Sequence, residues 1–462
     1  MQSMDTRGQW GSKLGFILAA SGSAVGLGNI WRFPYITGEN GGAAFVLLYL
    51  LCVAFIGLPL LINELALGRR SGKNPVGAFL ATKSGTPFVI TGFLCLILCF
   101  VVLSYYGVIA GWAIGYAANA VVGKTPVFSE FVANPAVVLP CFIVFVLLTV
   151  LIVQGGVEKG IERWTKALMP LLLVMILVII VRSLTLPGAM EGVKYYLAPD
   201  WSKIAGGETF GESLNQFFGV LVVALGQAFF SLSVGWGLMI TYGSYMPKSQ
   251  DIPAGGSWVA LSDTIIALLG GLMVFPAVFA FGMTPDAGPG LTFIILPEVF
   301  NQMPFGAFFA ALFFFLLTVA AVTSSISMLE VPVSYFVDEK IASRKVAAWM
   351  VGGAAILLGV PSALSAGGST FFTEMTLFGK TGFLDIVDYV WGTVMVVVIA
   401  LLCSIYTGWV WKTSEAVEEL SEGSAKFSGG LAKAWVVFIK FVCPIFILIV
   451  LAVNLGILNL GN

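Results

Sequence analysis

The chain has 462 residues, of which 58% are hydrophobic and only 10% are charged. Soluble domains carry about 25% charged residues, so this composition excludes a globular protein with a water-facing surface and places most of the surface in lipid. The sequence contains no histidine, which excludes Ser-His-Asp catalysis, histidine-ligated metals and histidine proton relays. It shows no nucleophile–base pair, so we do not expect an enzyme, and a net charge of −1 gives no indication of nucleic-acid binding.

Eleven apolar segments are long enough to cross a bilayer, which takes about 20 residues of helix. The sequence therefore predicts an all-α integral membrane protein with eleven transmembrane helices. The shortest segment, 345–361, is also rich in glycine. The expected spans are residues 13–38, 41–68, 87–122, 136–153, 163–186, 213–245, 256–283, 305–337, 345–361, 382–411 and 434–459.

Lysine and arginine are concentrated on one side of these spans, which orients the chain by the positive-inside rule. With the N-terminus in the cytoplasm, the long outer connection 284–304 contains no basic residue. We therefore expect a multi-pass protein of the plasma membrane with a cytoplasmic N-terminus and an extracellular C-terminus. Residues 1–12 are polar and no small-residue cleavage site follows the first apolar run, so we expect a retained span rather than a signal peptide.

The first span contains a segment, residues 21–29, in which three glycines make a poor helix interior. Unpaired backbone groups at membrane depth are tolerated only where they line a cavity. Freed carbonyls can then bind cations, and the amides that begin a half-helix can bind a carboxylate. Close helix packing through small residues remains the alternative interpretation.

The third and fifth spans carry two further candidate features. Val102 and Tyr106 are four residues apart and share a helix face, where the tyrosine offers an apolar wall with one polar group; core packing is the alternative. Gly160 and Pro170 flank the start of the fifth span with nine residues between them. Because proline interrupts the helical hydrogen bonds, this charged stretch could unwind into water, or it is an ordinary helix start.

The sixth span repeats the pattern of the first, because residues 227–237 (QAFFSLSVGWG) place serines and glycines in mid-span. Interrupted spans at matching positions are typical of transporters built from two inverted five-helix repeats, spans 1–5 and 6–10 here. The organisation expected from this pattern is a cytoplasmic segment 1–12, a first repeat 13–186, an extracellular loop 187–212, a second repeat 213–411, a cytoplasmic loop 412–433, and an eleventh helix with the C-terminus at 434–462.

The eighth span places Ala320, Thr323 and Ser324 on one helix face. Hydroxyls beside freed carbonyls form an uncharged oxygen cage that suits a monovalent cation, although such hydroxyls often bond only to their own helix. Asp263, early in the seventh span, has no cation beside it in sequence. Structural hydrogen bonding is the favoured role for Glu64 and Glu330.

Charged residues also lie at the ends of several spans, and charges within spans are costly and usually functional. Arg32 and Asp388 lie at the outer ends of the first and tenth spans. Arg7 and Asp338 lie at the inner ends of the first and eighth spans. Each pair could form a gate across a pathway or simply stabilise loops.

These motifs resemble those of the neurotransmitter:sodium symporter family. Residues 22–34 (GSAVGLGNIWRFP) resemble the family hallmark, and the likeness continues in order through residues 39–42, Tyr105 and Tyr106, and residues 227–237, 323–325 and 385–389. The chain is most similar to bacterial members that transport several hydrophobic amino acids. The resemblance implies a leucine-transporter-type fold of two inverted repeats with broken helices 1 and 6, plus one extra helix.

The resemblance also implies two sodium sites and one substrate pocket. The first sodium site would use the substrate carboxylate with Ala24, Asn29, Ser231 and the seventh-span position, for which Ser262 and Asp263 compete and we favour Asp263. The second would use Gly22, Val25, Ala320, Thr323 and Ser324. The substrate, a hydrophobic amino acid, would contact Ala24, Gly26, Leu27, Gly28, Val102, Tyr106, Phe230, Ser231, Ser233, Trp236, Ser324 and Met328.

The same resemblance assigns the gates. Arg32 with Asp388, helped by Phe230, would close the outer side, and Arg7 with Asp338, near Trp10, would close the inner side. Residues Gly160 and Pro170 match a motif that family members use to open a cytoplasmic water path to the second sodium site.

Three departures from the family pattern are informative. Monoamine carriers have an aspartate where this chain has Gly26, so its absence favours amino acids. Asp263 would supply the charge that chloride supplies in animal members, whose chloride serine falls on Ile266 or Ala267 here, so we expect chloride-independent transport. Trp236 replaces a phenylalanine that is common in the pocket, which leaves the pocket size open.

The sequence therefore favours a symporter that moves sodium and hydrophobic amino acids of the Leu, Ile, Val, Met, Phe, Tyr and Trp range together by alternating access. The alternative is a protein that does not transport, either a sodium-dependent amino acid sensor or an ion channel on the same scaffold. Paired broken helices favour an occluded site over a continuous pore, and a sensor usually adds a soluble signalling domain.

Overall fold

The structure, a computed structural model, describes residues 8–83, 85–284, 290–424 and 426–460. Arg7, expected at the inner gate, lies outside these residues. Helices make up the first part of the chain, with short π-helical turns at Gly28–Arg32, Val53–Gly57 and Val157–Glu162. The α-helices up to residue 205 are α1 (Lys13–Ala24), α2 (Phe33–Glu39), α3 (Ala43–Cys52), α4 (Leu58–Ser71), α5 (Pro75–Thr82), α6 (Val89–Val121), α7 (Phe128–Val132), α8 (Pro135–Val153), α9 (Arg163–Leu184), α10 (Ala189–Leu197) and α11 (Ser202–Ala205).

The second part of the chain continues in the same way, with one two-stranded hairpin and π-helical turns at Leu291–Ile295, Asp388–Met395, Tyr406–Val410 and Phe438–Val442. Its elements are α12 (Phe210–Ser231), α13 (Leu238–Gly243), α14 (Ile252–Ala280), α15 (Leu296–Gln302), α16 (Gly306–Asp338), α17 (Arg344–Leu364), α18 (Thr370–Thr373), β1 (Thr376–Leu377), β2 (Lys380–Thr381), α19 (Phe383–Val387), α20 (Val396–Ile405), α21 (Thr413–Ser421), α22 (Gly429–Val437) and α23 (Cys443–Asn454).

The membrane architecture agrees with the sequence prediction. Among the described residues, 10 continuous helices are long and apolar enough to span a bilayer, and the bent pair Lys13–Ala24 and Gly28–Glu39 brings the total to 11. The prediction of an all-α protein with eleven spans is thereby confirmed, including the short span near residue 350, which is α17. The boundaries drawn for the two repeats and their loops remain predictions.

The first span breaks where its glycines predicted it. Helix α1 ends at Ala24, Val25 has an extended backbone, and helical structure resumes at Gly28, with a bend of 52° between the halves. The sixth span breaks after α12, where Ser233, Gly235 and Gly237 adopt positive φ values of 54°, 83° and 75°. Glycine takes this conformation at little steric cost, whereas Ser233 must be held there by its surroundings. The expected span 213–245 is therefore two helices.

The centre of the molecule is formed by α6 and α16, which pack side by side and are 33 residues long, or about 50 Å at 1.5 Å per residue. Helix α1 packs against α9, α14 and α16, so the break after Ala24 lies in the protein interior. Large apolar side chains such as Leu148, Ile445 and Leu448 remain exposed on outer helices. This is the arrangement expected where lipid covers the surface.

Candidate functional site

The two helix breaks lie against each other. The Ser233 hydroxyl, in the break after α12, donates to the Ser23 carbonyl in α1 at 3.3 Å. The Gln227 amide nitrogen donates to the Gly28 carbonyl at 3.1 Å. A buried carboxylate, Glu64, accepts from the Gly235 amide at 2.7 Å, which satisfies a backbone donor that the broken helix cannot. The expected role of Glu64 in structural hydrogen bonding is confirmed.

A group of oxygens forms beside the first break around Asp263. The Asn29 amide nitrogen donates to Asp263 Oδ1 at 2.8 Å and to Ser231 Oγ at 3.1 Å, and Ser231 Oγ donates to Asp263 Oδ2 at 2.6 Å. All three side chains are fully buried, and within the described ranges no lysine or arginine pairs with Asp263. A buried carboxylate needs a compensating positive charge. Ser262 is partly exposed and takes no part in this group.

A second group of oxygens lies between α1 and α16. Thr323 Oγ1 lies 2.8 Å from the Ala320 carbonyl and 3.3 Å from the Val25 carbonyl, and Ser324 Oγ lies 3.2 Å from the Val25 carbonyl. These oxygens are neutral and buried, which is the chemistry that a hard monovalent cation accepts. Gly22 faces the same place, since a Cβ there would lie 3.4 Å from Thr323 Cβ. The structure thus brings the expected second sodium residues together.

A backbone amide at the break in the first span, that of Leu27, faces α6. The Leu27 amide donates to the Tyr106 hydroxyl at 3.3 Å. A Cβ at Gly26 would lie 2.3 Å from Ser324 Oγ and 3.0 Å from Tyr106 Oη, and a Cβ at Gly28 would lie 2.8 Å from Phe230. No side chain fits at either position without displacing these groups. Because backbone amides at the start of a half-helix attract anions, the arrangement can bind a carboxylate.

The Leu27 amide, the Tyr106 hydroxyl and the space at Gly26 are called the carboxylate cradle below. Several apolar side chains expected to form the rest of a substrate pocket are buried or partly buried. Val102, Trp236 and Met328 are 1%, 2% and 5% exposed, and Phe230 is partly buried. The rings of Phe230 and Trp236 meet edge to face, with centroids 5.8 Å apart. Of the side chains expected to contact a substrate, Phe230 and Trp236 therefore pack against each other, and Val102 and Met328 are buried.

An open cavity of about 390 Å³ reaches Leu27, Val102, Tyr106 and Phe230, at the end of the molecule that the sequence analysis expects to face outward. Arg32 and Asp388 both line it. Within the described residues, however, they form no ion pair: the Arg32 guanidinium donates to Gln227 Oε1 at 2.6 Å and lies 4.9 Å from the Phe230 ring centroid. The expected gate residues thus share one cavity, but the outer gate is not closed.

The opposite end, which the sequence analysis expects to face the cytoplasm and which is called the inner side below, is closed by a different set of contacts. Trp10 Nε1 donates to the Tyr242 carbonyl at 2.9 Å, and the Trp10 amide donates to the Tyr245 carbonyl at 3.2 Å. Asp338 Oδ2 accepts from the backbone amide of Asn74 at 2.8 Å and from its side chain at 3.0 Å. Trp10 and Asp338 thus both make buried or partly buried contacts here, and their role as a gate with Arg7 stays a prediction.

The inner closure includes a buried ion pair that the sequence analysis did not identify. Glu330 accepts from the Tyr245 hydroxyl at 2.5 Å and pairs with Arg344 at 2.6 Å. The structural role expected for Glu330 is confirmed, but its partners are 85 and 14 residues away and could not be chosen from spacing. Together with Trp10, these residues hold the inner ends of the first, sixth, eighth and ninth spans in contact.

The start of the fifth span is helical here. Gly160 lies in the π-helical turn and Pro170 lies within α9, so the helix begins at Val157 rather than at residue 163 as expected. A Cβ at Gly160 would lie 2.3 Å from the Ile152 carbonyl, so no side chain fits there. Unwinding between Gly160 and Pro170 therefore stays a prediction.

Glu162, in this turn, is the residue that the sequence analysis missed. Its buried carboxylate accepts from the Gly11 amide at 2.7 Å, from Ser12 Oγ at 3.0 Å and from Lys166 Nζ at 2.6 Å. Ser12 is also the N-cap of α1. Glu162 thus ties the start of the first span to the start of the fifth, at the edge of a cavity of about 460 Å³ that it lines with Lys166.

Comparisons with known proteins agree with this geometry. Residues 7–134 and 128–460 match the sodium:neurotransmitter symporter family. The chain is 40% identical to YhdH, a sodium-dependent transporter of Bacillus subtilis, over 98% of both proteins. It is 37% identical to a sodium-dependent transporter of Haemophilus influenzae, over 97% of this chain and 98% of that protein.

A crystal structure of MhsT in complex with L-phenylalanine has the same fold, with a TM-score of 0.85 and 43% identity over 96% of this chain and 99% of MhsT. The chain therefore belongs to the sodium:neurotransmitter symporter family and is a sodium-coupled, multi-pass membrane transporter rather than an enzyme.

Proposed function

We propose that the protein is a symporter that carries hydrophobic L-amino acids, in the range from valine to tryptophan, into the cell together with two sodium ions and without chloride. In this proposal it lies in the plasma membrane with its N-terminus inside and its C-terminus outside. The observation that carries the proposal is the buried Asp263 group beside the carboxylate cradle. The buried Asp263 carboxylate favours binding of a cation, and the backbone amides beside it favour binding of a carboxylate.

The transport of sodium and of substrate would be coupled because the protein and the substrate carboxylate would bind the same sodium ion. In the first site, sodium would be held by Asp263, Asn29, Ser231, the Ala24 carbonyl and the substrate carboxylate. Each ligand then raises the affinity for the other by the same factor. A substrate amine alone would leave the cradle empty, and Gly26 leaves no room for a protein carboxylate to replace it.

The gates would alternate around this site. The contacts of Trp10, Asp338 and Glu330 close the inner side, whereas the cavity on the outer side is open as far as Phe230. Substrate binding would draw Arg32 from Gln227 toward Asp388 and close the outer side. Each sodium ion that enters down 100 mV contributes about 2.3 kcal/mol, enough to concentrate a zwitterion more than about tenfold.

Replacing Thr323 by alanine is expected to raise the half-saturating sodium concentration about 10-fold or more, because a bond to a charged partner contributes about 1.5–3 kcal/mol. Sodium dependence of leucine uptake measures this. Thr318→Ala is the matched control, since Thr318 lies on the same helix and, among the described residues, its hydroxyl bonds only to the Phe314 carbonyl. Equal sodium dependence in the two variants would rule out a cation at the second oxygen group.

Replacing Glu162 by glutamine is expected to loosen the inner closure, because the neutral amide loses the charge that holds Gly11, Ser12 and Lys166. A charge-assisted bond is about twice as strong as a neutral one. We expect hydrogen exchange about 10-fold faster in peptides from residues 8–24 and 157–170. Glu158→Gln, an exposed residue in the same turn, is the control, and unchanged exchange in Glu162→Gln would contradict the role of Glu162.

Uptake into proteoliposomes tests the proposal as a whole. Labelled leucine and tryptophan are offered with sodium outside, inside or absent, and with chloride replaced by gluconate. We expect accumulation only with an inward sodium gradient and at the same rate without chloride. Sodium-dependent binding without accumulation would overturn transport in favour of a sensor, and a requirement for chloride would overturn the role given to the Asp263 charge.

A further inference from the structure

A lysine lies within the eleventh span, beside side chains that face lipid. Lys440 belongs to the apolar helix Gly429–Asn454 and lies about 16 Å from its first residue, at 1.5 Å per residue. Its neighbours Val437 and Phe441 are exposed, and Lys440 itself is partly buried. Because a charge within a span is costly and usually has a partner, the surroundings of this ammonium group indicate what it binds.

The Lys440 ammonium lies against aromatic rings at the inner end of the tenth span. Its Nζ is 4.3 Å from the centroid of the Trp409 ring and 5.7 Å from that of Phe441. The Trp409 indole N–H donates to the Lys440 carbonyl at 3.3 Å. Since the tenth-span helix ends at Val410, one residue after Trp409, the long lysine side chain brings its charge to the level of the membrane surface.

This end of the two spans has more positive than negative charge. Among the described residues, no carboxylate pairs with Lys440 and no protein atom accepts a hydrogen bond from its ammonium. The rings attract the cation but leave its three N–H donors unsatisfied. A second ammonium, that of Lys83, donates to the Val410 carbonyl at 3.0 Å. A third, that of Lys412, has Glu415 at 3.8 Å.

The charge and the exposed rings together fit an anionic phospholipid. Phosphate oxygens accept charge-assisted bonds from ammonium groups, and anionic lipids of the cytoplasmic leaflet are attracted to basic residues at the ends of spans. A soluble anion would leave Trp409 and Phe441 uncovered, although they are 59% and 47% exposed. Ile445, four residues after Phe441, is also exposed and extends this apolar face along the helix, where an acyl chain can lie.

We propose that Lys440 and Trp409, with Lys83 beside them, form a binding site for one anionic phospholipid of the cytoplasmic leaflet. The two ammonium groups bind the phosphate, and an acyl chain lies over Phe441 and Ile445. The site lies between the tenth and eleventh spans rather than at the breaks in the first and sixth. It therefore goes beyond the proposed symport, and its test needs neither sodium nor an amino acid.

Competition between dioleoyl phosphatidylglycerol and dioleoyl phosphatidylcholine for the purified protein, read by native mass spectrometry, tests the site. The two lipids have the same acyl chains, so the ratio of their first binding constants isolates the net charge of the headgroup. We expect the wild type to prefer phosphatidylglycerol about tenfold, roughly the contribution of one charge-assisted bond. Lys440→Gln should lower this preference to about twofold or less, and Lys440→Arg should keep it.

Lys433→Gln is the matched control, because Lys433 is an exposed lysine of the same helix; the preference should not change. An equal preference in the wild type and Lys440→Gln would overturn the site, and an equal loss in Lys433→Gln would indicate attraction to a positively charged surface instead. Displacement of the lipid by excess inorganic phosphate would overturn it in favour of a free anion.

Trp409→Leu is a second, independent variant, which keeps the proposal testable if Lys440→Gln folds poorly. It keeps an apolar side chain but removes the ring beneath the ammonium, so phosphatidylglycerol should bind about threefold more weakly or less tightly still. Unchanged phosphatidylglycerol affinity in Trp409→Leu would contradict the role given to the ring. The melting temperature of each variant in phosphatidylcholine alone checks its folding.

Discussion

Replacing Asp263 by asparagine should lower sodium-driven amino acid uptake about 100-fold or more. The substitution keeps the size of the side chain and the bonds with Asn29 and Ser231 within reach, but it removes the buried charge that a cation requires. Breaking a buried ion pair costs about 3–5 kcal/mol, which is two or more decades in affinity. Uptake at increasing sodium concentration, with the melting temperature as a check on folding, measures the effect.

Ser262→Ala is the matched control for this prediction, and it separates the two residues that competed for the seventh-span ligand. Ser262 is partly exposed, whereas Asp263 is buried against Asn29. We expect the sodium dependence of Ser262→Ala to equal that of the wild type. If Ser262→Ala lost sodium dependence and Asp263→Asn kept it, the first sodium site would have to be rebuilt around Ser262.

Replacing Gly26 by alanine should weaken substrate binding about 10- to 100-fold. The new Cβ would lie 2.3 Å from Ser324 Oγ and 3.0 Å from Tyr106 Oη, so both hydroxyls must move out of the carboxylate cradle. Forcing an extra methyl group into a packed site costs about 1–3 kcal/mol, which corresponds to that change in affinity. The dissociation constant of labelled leucine at saturating sodium measures it.

Gly353→Ala provides the control, because a Cβ at this position in α17 meets no atom within 4 Å. Alanine in a helix is more favourable than glycine by about 1 kcal/mol, so stability should hold or rise and binding should not change. Wild-type leucine affinity in Gly26→Ala would mean that the substrate carboxylate does not lie at this break.

Much of the fold was accessible from sequence because it depends on local features. Span length and apolar composition are local properties, and the glycines at 22, 26 and 28 disfavour a continuous helix wherever they occur. The break in the sixth span also followed from composition, and it lies within the predicted residues 227–237. The contact that holds Ser233 at a positive φ did not, because its partner Ser23 is 210 residues away.

The sequence analysis predicted which residues form the candidate site better than it predicted which residues they contact. The resemblance to a family supplied Asp263, Thr323 and Tyr106, and the structure brings them to the two breaks. The partners of Arg32 and the residues that meet Glu162 were not predicted, because those contacts join positions 195 and 151 residues apart. Composition and spacing carry no information about such pairs unless an alignment or a structure supplies it.

Sodium dependence of leucine binding to the purified protein, measured beside the same experiment with leucinol, tests the central claim most directly. Leucinol keeps the leucine side chain and amine but has no carboxylate. If one sodium ion bridges Asp263 and the substrate carboxylate, saturating leucine will lower the half-saturating sodium concentration at least about tenfold through reciprocal linkage, and leucinol will leave it unchanged. If leucine and leucinol shift sodium affinity equally, the substrate carboxylate is not a sodium ligand and the proposed coupling is wrong.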